Sequence, residues 1–148
     1  MTTIQHEIRA NCAPERVWAL LSDLTAVASY NPSVRAAALT GNLKGGVGAE
    51  RACDLLPNGR VVERVTHWDE GRALGLEVAE SDWPIHYMRW VTRVAPASNG
   101  SVITQDLEYR VKFGPLGWLL DRLVMKRKLT ATLDSVFENL VKHAEGRT

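Results

Sequence analysis

The sequence predicts an α+β protein in which a curved seven-stranded antiparallel sheet wraps around a long C-terminal helix, with two short helices between the first two strands. Three observations carry this. After Pro115 the chain runs to Gly146 with Gly117 as its only glycine and no further proline, room for a helix of about 30 residues and roughly 45 Å. From residue 33 to 113, runs of strand-like sequence are broken by a turn signal about every ten residues, the pattern of an antiparallel meander. Ahead of the meander lie one alternating stretch and two short helical ones. With 148 residues, 45% of them hydrophobic, the chain builds one domain, residues 1–148, with a sizeable core.

Residues 3–10 alternate with Ile4, Ile8 and Ala10 on one face, the period of a half-buried strand. Pro14-Glu15 then opens a helix, because proline is tolerated where the N–H has no partner and an acid suits the first turn. Val17, Trp18, Leu20 and Leu21 face inward, and the helix ends near Ser22-Asp23. Residues 24–30 form a second short helix, stopped at Asn31-Pro32 because the residue before proline disfavours the α region. Strands follow at 33–39, 49–56, 60–68, 72–79, 85–94 and 101–113, separated by Gly-, Pro- and Asn-rich turns. Lys44-Gly45-Gly46-Val47-Gly48 is one of these turns and not a phosphate cradle, since no helix pattern follows it.

The C-terminal helix, 114–145, carries two apolar stripes: Leu116, Leu119, Leu120 and Leu123, then Leu133, Val136, Phe137, Leu140, Val141 and Ala144. At 100° per residue the second is rotated by about 80° from the first. Lys126-Arg127-Lys128 separates them. The second stripe reads as the anchor gripped by the sheet, the first as the roof of a cavity between sheet and helix.

A formal charge of +1 gives no global pull toward nucleic acid or membrane. The basic run near 126–128 reads as a solvated helix face, with membrane contact as the lesser alternative. Cys12 and Cys53 form no CxxC, so neither a disulfide scaffold nor a zinc site is expected. His6, His67, His86 and His143 fall on four separate elements without HExxH spacing, which disfavours a metal. No cofactor is implied. Without a basic-then-apolar leader or an apolar run of about 18 residues, the expected location is the cytoplasm.

Ala13-Pro14-Glu15-Arg16-Val17-Trp18, residues 24–32 ending in Asn31-Pro32, the strand Val62-Glu63-Arg64-Val65-Thr66-His67-Trp68-Asp69, and Gly114-Pro115-Leu116-Gly117 leading into the long helix together resemble the polyketide cyclase/dehydrase and lipid transport superfamily (SRPBCC, START-like). Its relatives include START lipid-transfer domains and the birch-pollen allergen fold, all of the helix-grip type. The resemblance implies a hydrophobic cavity between sheet and C-terminal helix, entered near the second short helix. It also implies a small hydrophobic ligand such as a lipid, polyketide or quinone, and in some members cyclisation, aromatisation or dehydration. Tyr30 stands where a tryptophan before Asn-Pro is common, and His67 where an acid is usual.

Alternation on strand 60–68 puts Val61, Glu63, Val65 and His67 on one face. Inside a cavity Glu63, with His67, is a candidate general acid or base; the alternative is a carboxylate paired with an arginine of the next strand such as Arg51. On strand 85–94, His86, Met88, Trp90 and Thr92 share a face, with Met88 and Trp90 as adaptable lining for an apolar ligand. On the last strand Ile103, Gln105, Leu107, Tyr109, Val111 and Phe113 point inward, and Gln105 and Tyr109 are polar tips able to orient a ligand or, for Tyr109, to donate to an enolate. Together with Tyr30, Leu76, Leu116, Leu120 and Leu123 these make the expected binding set. Two functions remain open: carriage of a hydrophobic molecule, or cyclase, aromatase or dehydratase chemistry by polar cavity residues. The partner is a small hydrophobic ligand and not nucleic acid, and the protein is a monomer or homodimer.

Overall fold

The computed structural model describes residues 2–83, 85–112 and 114–146; the side chains of residues 117, 118, 120, 122 and 123 lie outside that description. Expectations placed on Phe113 and on the side chains of Leu120 and Leu123 therefore fall outside the described residues.

Strand β1 (Thr2–Ala10) leads into helix α1 (Pro14–Ser22), a 3₁₀ turn (Leu24–Ala26) and helix α2 (Val27–Tyr30). Pro14 occupies the first turn of α1 with Glu15 beside it, and Val17, Trp18 and Leu21 are the buried face. Strands β2 (Val34–Leu39), β3 (Glu50–Leu55), β4 (Arg60–Asp69), β5 (Ala73–Ser81), β6 (Ile85–Ala97) and β7 (Gly100–Val111) follow. They form one seven-stranded antiparallel sheet in the order β1-β7-β6-β5-β4-β3-β2. The chain then enters helix α3 (Gly114–Leu120), a π turn (Asp121–Met125) and helix α4 (Lys126–Ala144).

The inner face of the sheet meets α1, α2 and α4 around Val17, Leu24, Val65, Ile103, Phe137 and Leu140. Salt bridges such as Arg64–Glu50 (2.6 Å) and Arg93–Asp106 (3.0 Å) lie on the outer face, which is why the strands read as alternating. Helix α4 is pinned to β1: the His6 ring stacks on Phe137 at 4.8 Å and 15°, and His6 Nε2 lies 2.8 Å from Asp134 Oδ1. Among the described residues no helix is long and apolar enough to cross a membrane.

Three departures from the sequence reading have physical causes. The β6–β7 hairpin extends to Ala97 and Gly100, through Pro96. β5 pairing stops at Arg93, and the Val94 N–H reaches back to Arg72; the missing N–H of Pro96 therefore faces a side with no strand. Gly100, at φ 152°, lies so close to β1 that a Cβ there would sit 2.1 Å from the Ala10 carbonyl oxygen, and only glycine fits.

On β4 the register shifts between Val65 and His67, leaving Thr66 without a partner on β5. Beyond that bulge His67 is exposed and Trp68 turns inward, so Glu63 and His67 do not share a face. Finally, the C-terminal helix is interrupted. A π turn inserts one residue into the helical count, worth about 100° of phase. Added to the rotation of about 80° between the two apolar stripes, this sets them on nearly opposite sides.

Candidate functional site

Two polar nodes lie on the inner face of the sheet, and an apolar zone separates them. The first is built by the β3–β4 hairpin, whose register sets Arg51 opposite Glu63. Arg51 Nε donates to Glu63 Oε1 at 2.7 Å, and Nη1 donates to the Leu24 carbonyl at 3.0 Å. Arg51 is only 4% exposed, so this is a desolvated, hydrogen-bonded pair and not a surface one. The Cys53 thiol points at the same carboxylate, with Sγ 3.9 Å from Oε1, and Tyr30 closes the node from α2.

Burial opposes the Arg51 charge, but Glu63, Tyr30 and Cys53 outweigh it and hold the guanidinium above its ordinary value. Burial, reinforced by Glu63, pushes the Cys53 thiol up to about 12. Burial also raises the Tyr30 phenol, partly offset by Arg51. At neutral pH the Arg51 guanidinium is therefore charged, and the Cys53 thiol and Tyr30 phenol are neutral.

The second node joins β1, β7 and the π turn. Thr2 on β1 pairs with Tyr109 on β7, and the hydroxyls of both donate to the carboxylate of Asp121, the first residue of the π turn. Tyr109 is fully buried and Asp121 is buried. Burial and the hydrogen bond to Asp121 raise the Tyr109 phenol well above its usual value, which keeps it a neutral donor. Nearby, Gln105 Nε2 donates to Thr92 Oγ1 at 2.9 Å across the β6–β7 pair.

Between the nodes lies an apolar surface. Leu76, Trp90 and Leu107 stand side by side on β5, β6 and β7, with Met88 beside Tyr109. Leu76 and Leu107 are buried, whereas Met88 and Trp90 are only partly so, although β6 is an interior strand and both residues face the helix.

The expected residues thus separate. Tyr30 and Glu63 meet at the first node, Tyr109 at the second, and Leu76, Met88 and Trp90 between, with Gln105 bonded to Thr92. His67 belongs to neither node because of the β4 bulge, and His86 is exposed. Leu116, read as cavity roof, is instead 70% exposed, because the π turn puts α3 out of phase with α4.

Sequence reasoning missed Asp121 and Thr2. A usable signal existed: Asp121 is the single acid between Arg110 and Lys128, set among leucines and basic residues. A depression of about 380 Å³ on the outer face is lined by Glu50, Arg60, Glu80 and Asp82 among others, chemistry unsuited to an apolar molecule. Among the described residues no group of three or more His, Cys, Asp or Glu side chains is placed to hold a metal.

A seven-stranded sheet gripping a C-terminal helix, with two short helices inserted after the first strand, defines a START-like, helix-grip ligand-binding fold. The chain belongs to the polyketide cyclase/dehydrase and lipid transport family, whose model matches residues 1–145. A protein from Thermus thermophilus is similar at 18% identity and a TM-score of 0.82, covering 99% of each chain. A START superfamily protein from Mycobacterium smegmatis is similar at 15% identity and a TM-score of 0.80, again over 99% of each chain. A point mutant of norcoclaurine synthase from Thalictrum, bound to a transition-state analogue, shares 21% identity and a TM-score of 0.67 over 96% of this chain and 95% of that one. No curated protein sequence matches this one.

Proposed function

We propose that this protein sequesters or delivers a small hydrophobic molecule, such as a lipid, polyketide or quinone, held between the inner face of the sheet and the C-terminal helix. The observation that carries this is the incomplete burial of Met88 and Trp90 on the inward side of an interior strand, where a core filled by its own side chains would seal them. Family membership points the same way. Leu76, Leu107 and Trp90 give the molecule an apolar bed, and Gln105 with Thr92 gives it a polar edge.

The state of the polar groups favours carriage over catalysis. Glu63 is committed to Arg51, and Tyr109 is a raised, fully buried phenol committed to Asp121. One observation favours a cyclase or dehydratase instead: a buried aspartate at a π turn with two hydroxyl donors is an arrangement that can hold an enol oxygen and move its proton.

Native mass spectrometry and solvent extraction of protein purified from its own host test the carrier reading. The expected result is a stoichiometric hydrophobic species, with tryptophan emission altered when it is stripped. Empty protein, together with no thermal shift across a panel of lipids, quinones and aromatic polyketides, overturns it. Conversion of the recovered molecule, abolished by Asp121→Asn, would establish the enzyme reading.

A further inference from the structure

We infer that helix α3 and the turn after it form a docking face for an anionic lipid bilayer. Leu116 is 70% exposed, Leu119 47% and Val124 42%, three large apolar side chains within nine residues. At helical spacing, with the π turn counted, they fall within about a quarter-turn of one another on the side away from Phe137 and Leu140. Such clusters are uncommon on a surface that meets only water.

Charge identifies the occupant. Residues 110–128 contain six basic residues and a single acid, Asp121, whereas the remaining chain carries more acidic than basic residues. Arg110, Lys112, Lys126, Arg127 and Lys128 are exposed, and Asp121 is buried under the hydroxyls of Thr2 and Tyr109. The exterior of this segment is therefore cationic around an apolar centre. A helix with exposed leucines and flanking Lys/Arg lies in the plane of a headgroup layer, its leucines in the acyl boundary and its cations on lipid phosphates. An uncharged apolar surface would answer the leucines alone and an acidic polar surface the cations alone, whereas an anionic bilayer offers acyl chains and phosphates together.

Antiparallel order adds a geometric point. The β3–β4 and β5–β6 turns lie at the same end of the sheet as the start of α3. They too carry exposed apolar residues, Leu56 and Trp83. The docking face thus continues around one end of the molecule.

The test is co-sedimentation of the full chain with sucrose-loaded vesicles of phosphatidylcholine, with or without roughly 30% phosphatidylglycerol. The anionic vesicles are expected to pellet the protein, the neutral ones much less, and salt near 0.5 M to release it. Each basic residue contributes about fivefold to partitioning, so Lys126→Gln/Arg127→Gln/Lys128→Gln is expected to weaken it by about a hundredfold. Leu116→Glu/Leu119→Glu is expected to abolish binding with little change in melting temperature, since Leu116 is mostly and Leu119 about half in water; Leu116→Ser/Leu119→Ser is the check if that variant melts early. No pelleting, equal pelleting by neutral vesicles, or pelleting unaffected by the leucine variants overturns the inference. So does a dimer in sedimentation velocity that the leucine variants dissociate, which would make a second copy the occupant. Ligand extraction is independent of this assay, so failure of one does not decide the other.

Discussion

Removing Glu63 is expected to destabilise the protein far more than removing Glu63 and Arg51 together. The pair is 2.7 Å apart and Arg51 is 4% exposed, so deletion of the carboxylate leaves a buried guanidinium with the Leu24 carbonyl and the Tyr30 phenol as neutral partners and no counter-charge. At an effective dielectric near 20 and about 4 Å between charge centres, the lost attraction is about 4 kcal/mol. Measured costs of breaking buried pairs fall at about 3–5 kcal/mol. For a chain of this size that is a fall in Tm of roughly 6–20 °C.

Arg51→Met/Glu63→Leu removes both charges and fills the space, leaving mainly the unpaired Leu24 carbonyl at a cost of about 1 kcal/mol. Urea unfolding followed by far-UV circular dichroism on wild type, Glu63→Leu, Arg51→Met and the double variant gives the coupling energy directly. A value below about 1 kcal/mol would refute the reasoning, because it would place the pair in the class of solvated surface bridges.

Phe137→Ala, which empties the side chain stacked on His6 in the α4 core, is expected to cost about 3–5 kcal/mol in the same unfolding assay. Tyr109→Phe deprives the buried Asp121 of a charge-assisted bond and should cost about 1.5–3 kcal/mol, with Thr2→Val costing less. The Cys53 thiol, raised to about 12, should resist an aromatic disulfide reagent at pH 8 in the native state and react at once in guanidinium. Because its folded value is raised, its contribution to stability is complete below the ordinary thiol value and is lost as pH climbs toward 12. The raised phenols of Tyr30 and Tyr109 act in the same direction, so ionisation read at 295 nm should coincide with alkaline unfolding.

The strands were legible because one face of the sheet is solvated. Val61, Glu63 and Val65, or Ile103, Leu107 and Tyr109, cannot change sides without exposing a core, and the pattern records that. The Arg51–Glu63 alternative was legible for a related reason: a short hairpin fixes which residues are opposite. The β4 bulge was not, since Thr66-His67-Trp68 continues an acceptable alternation, and only tertiary contact decides that the indole goes in. Trp18 and Trp68 pack edge to face at 5.4 Å and both donate to Glu70, a contact across 50 residues of chain that no local pattern contains. The π turn was half visible. The rotation between the two leucine-rich stripes shows in the sequence, but an added residue in the hydrogen-bond ladder leaves no mark of its own, so the sense of the twist and the role of Asp121 stayed hidden.

The position of β1 in the sheet has a consequence for how the chain is made. Among the described residues its strand neighbour is β7, from Thr2 opposite Tyr109 to Ala10 opposite Ser101. β1 therefore waits for a partner made about 90 residues later. At about 5–20 residues per second it spends roughly 5–20 s without its partner, an unsatisfied edge available to other nascent chains. Residues 34–97 can zip by hairpins as they emerge, whereas closure of β1 on β7, and with it the Thr2–Asp121–Tyr109 node, comes only after residue 121 has been made. Aggregation during expression should accordingly respond to changes in β1 more than to equal changes in β3 or β4.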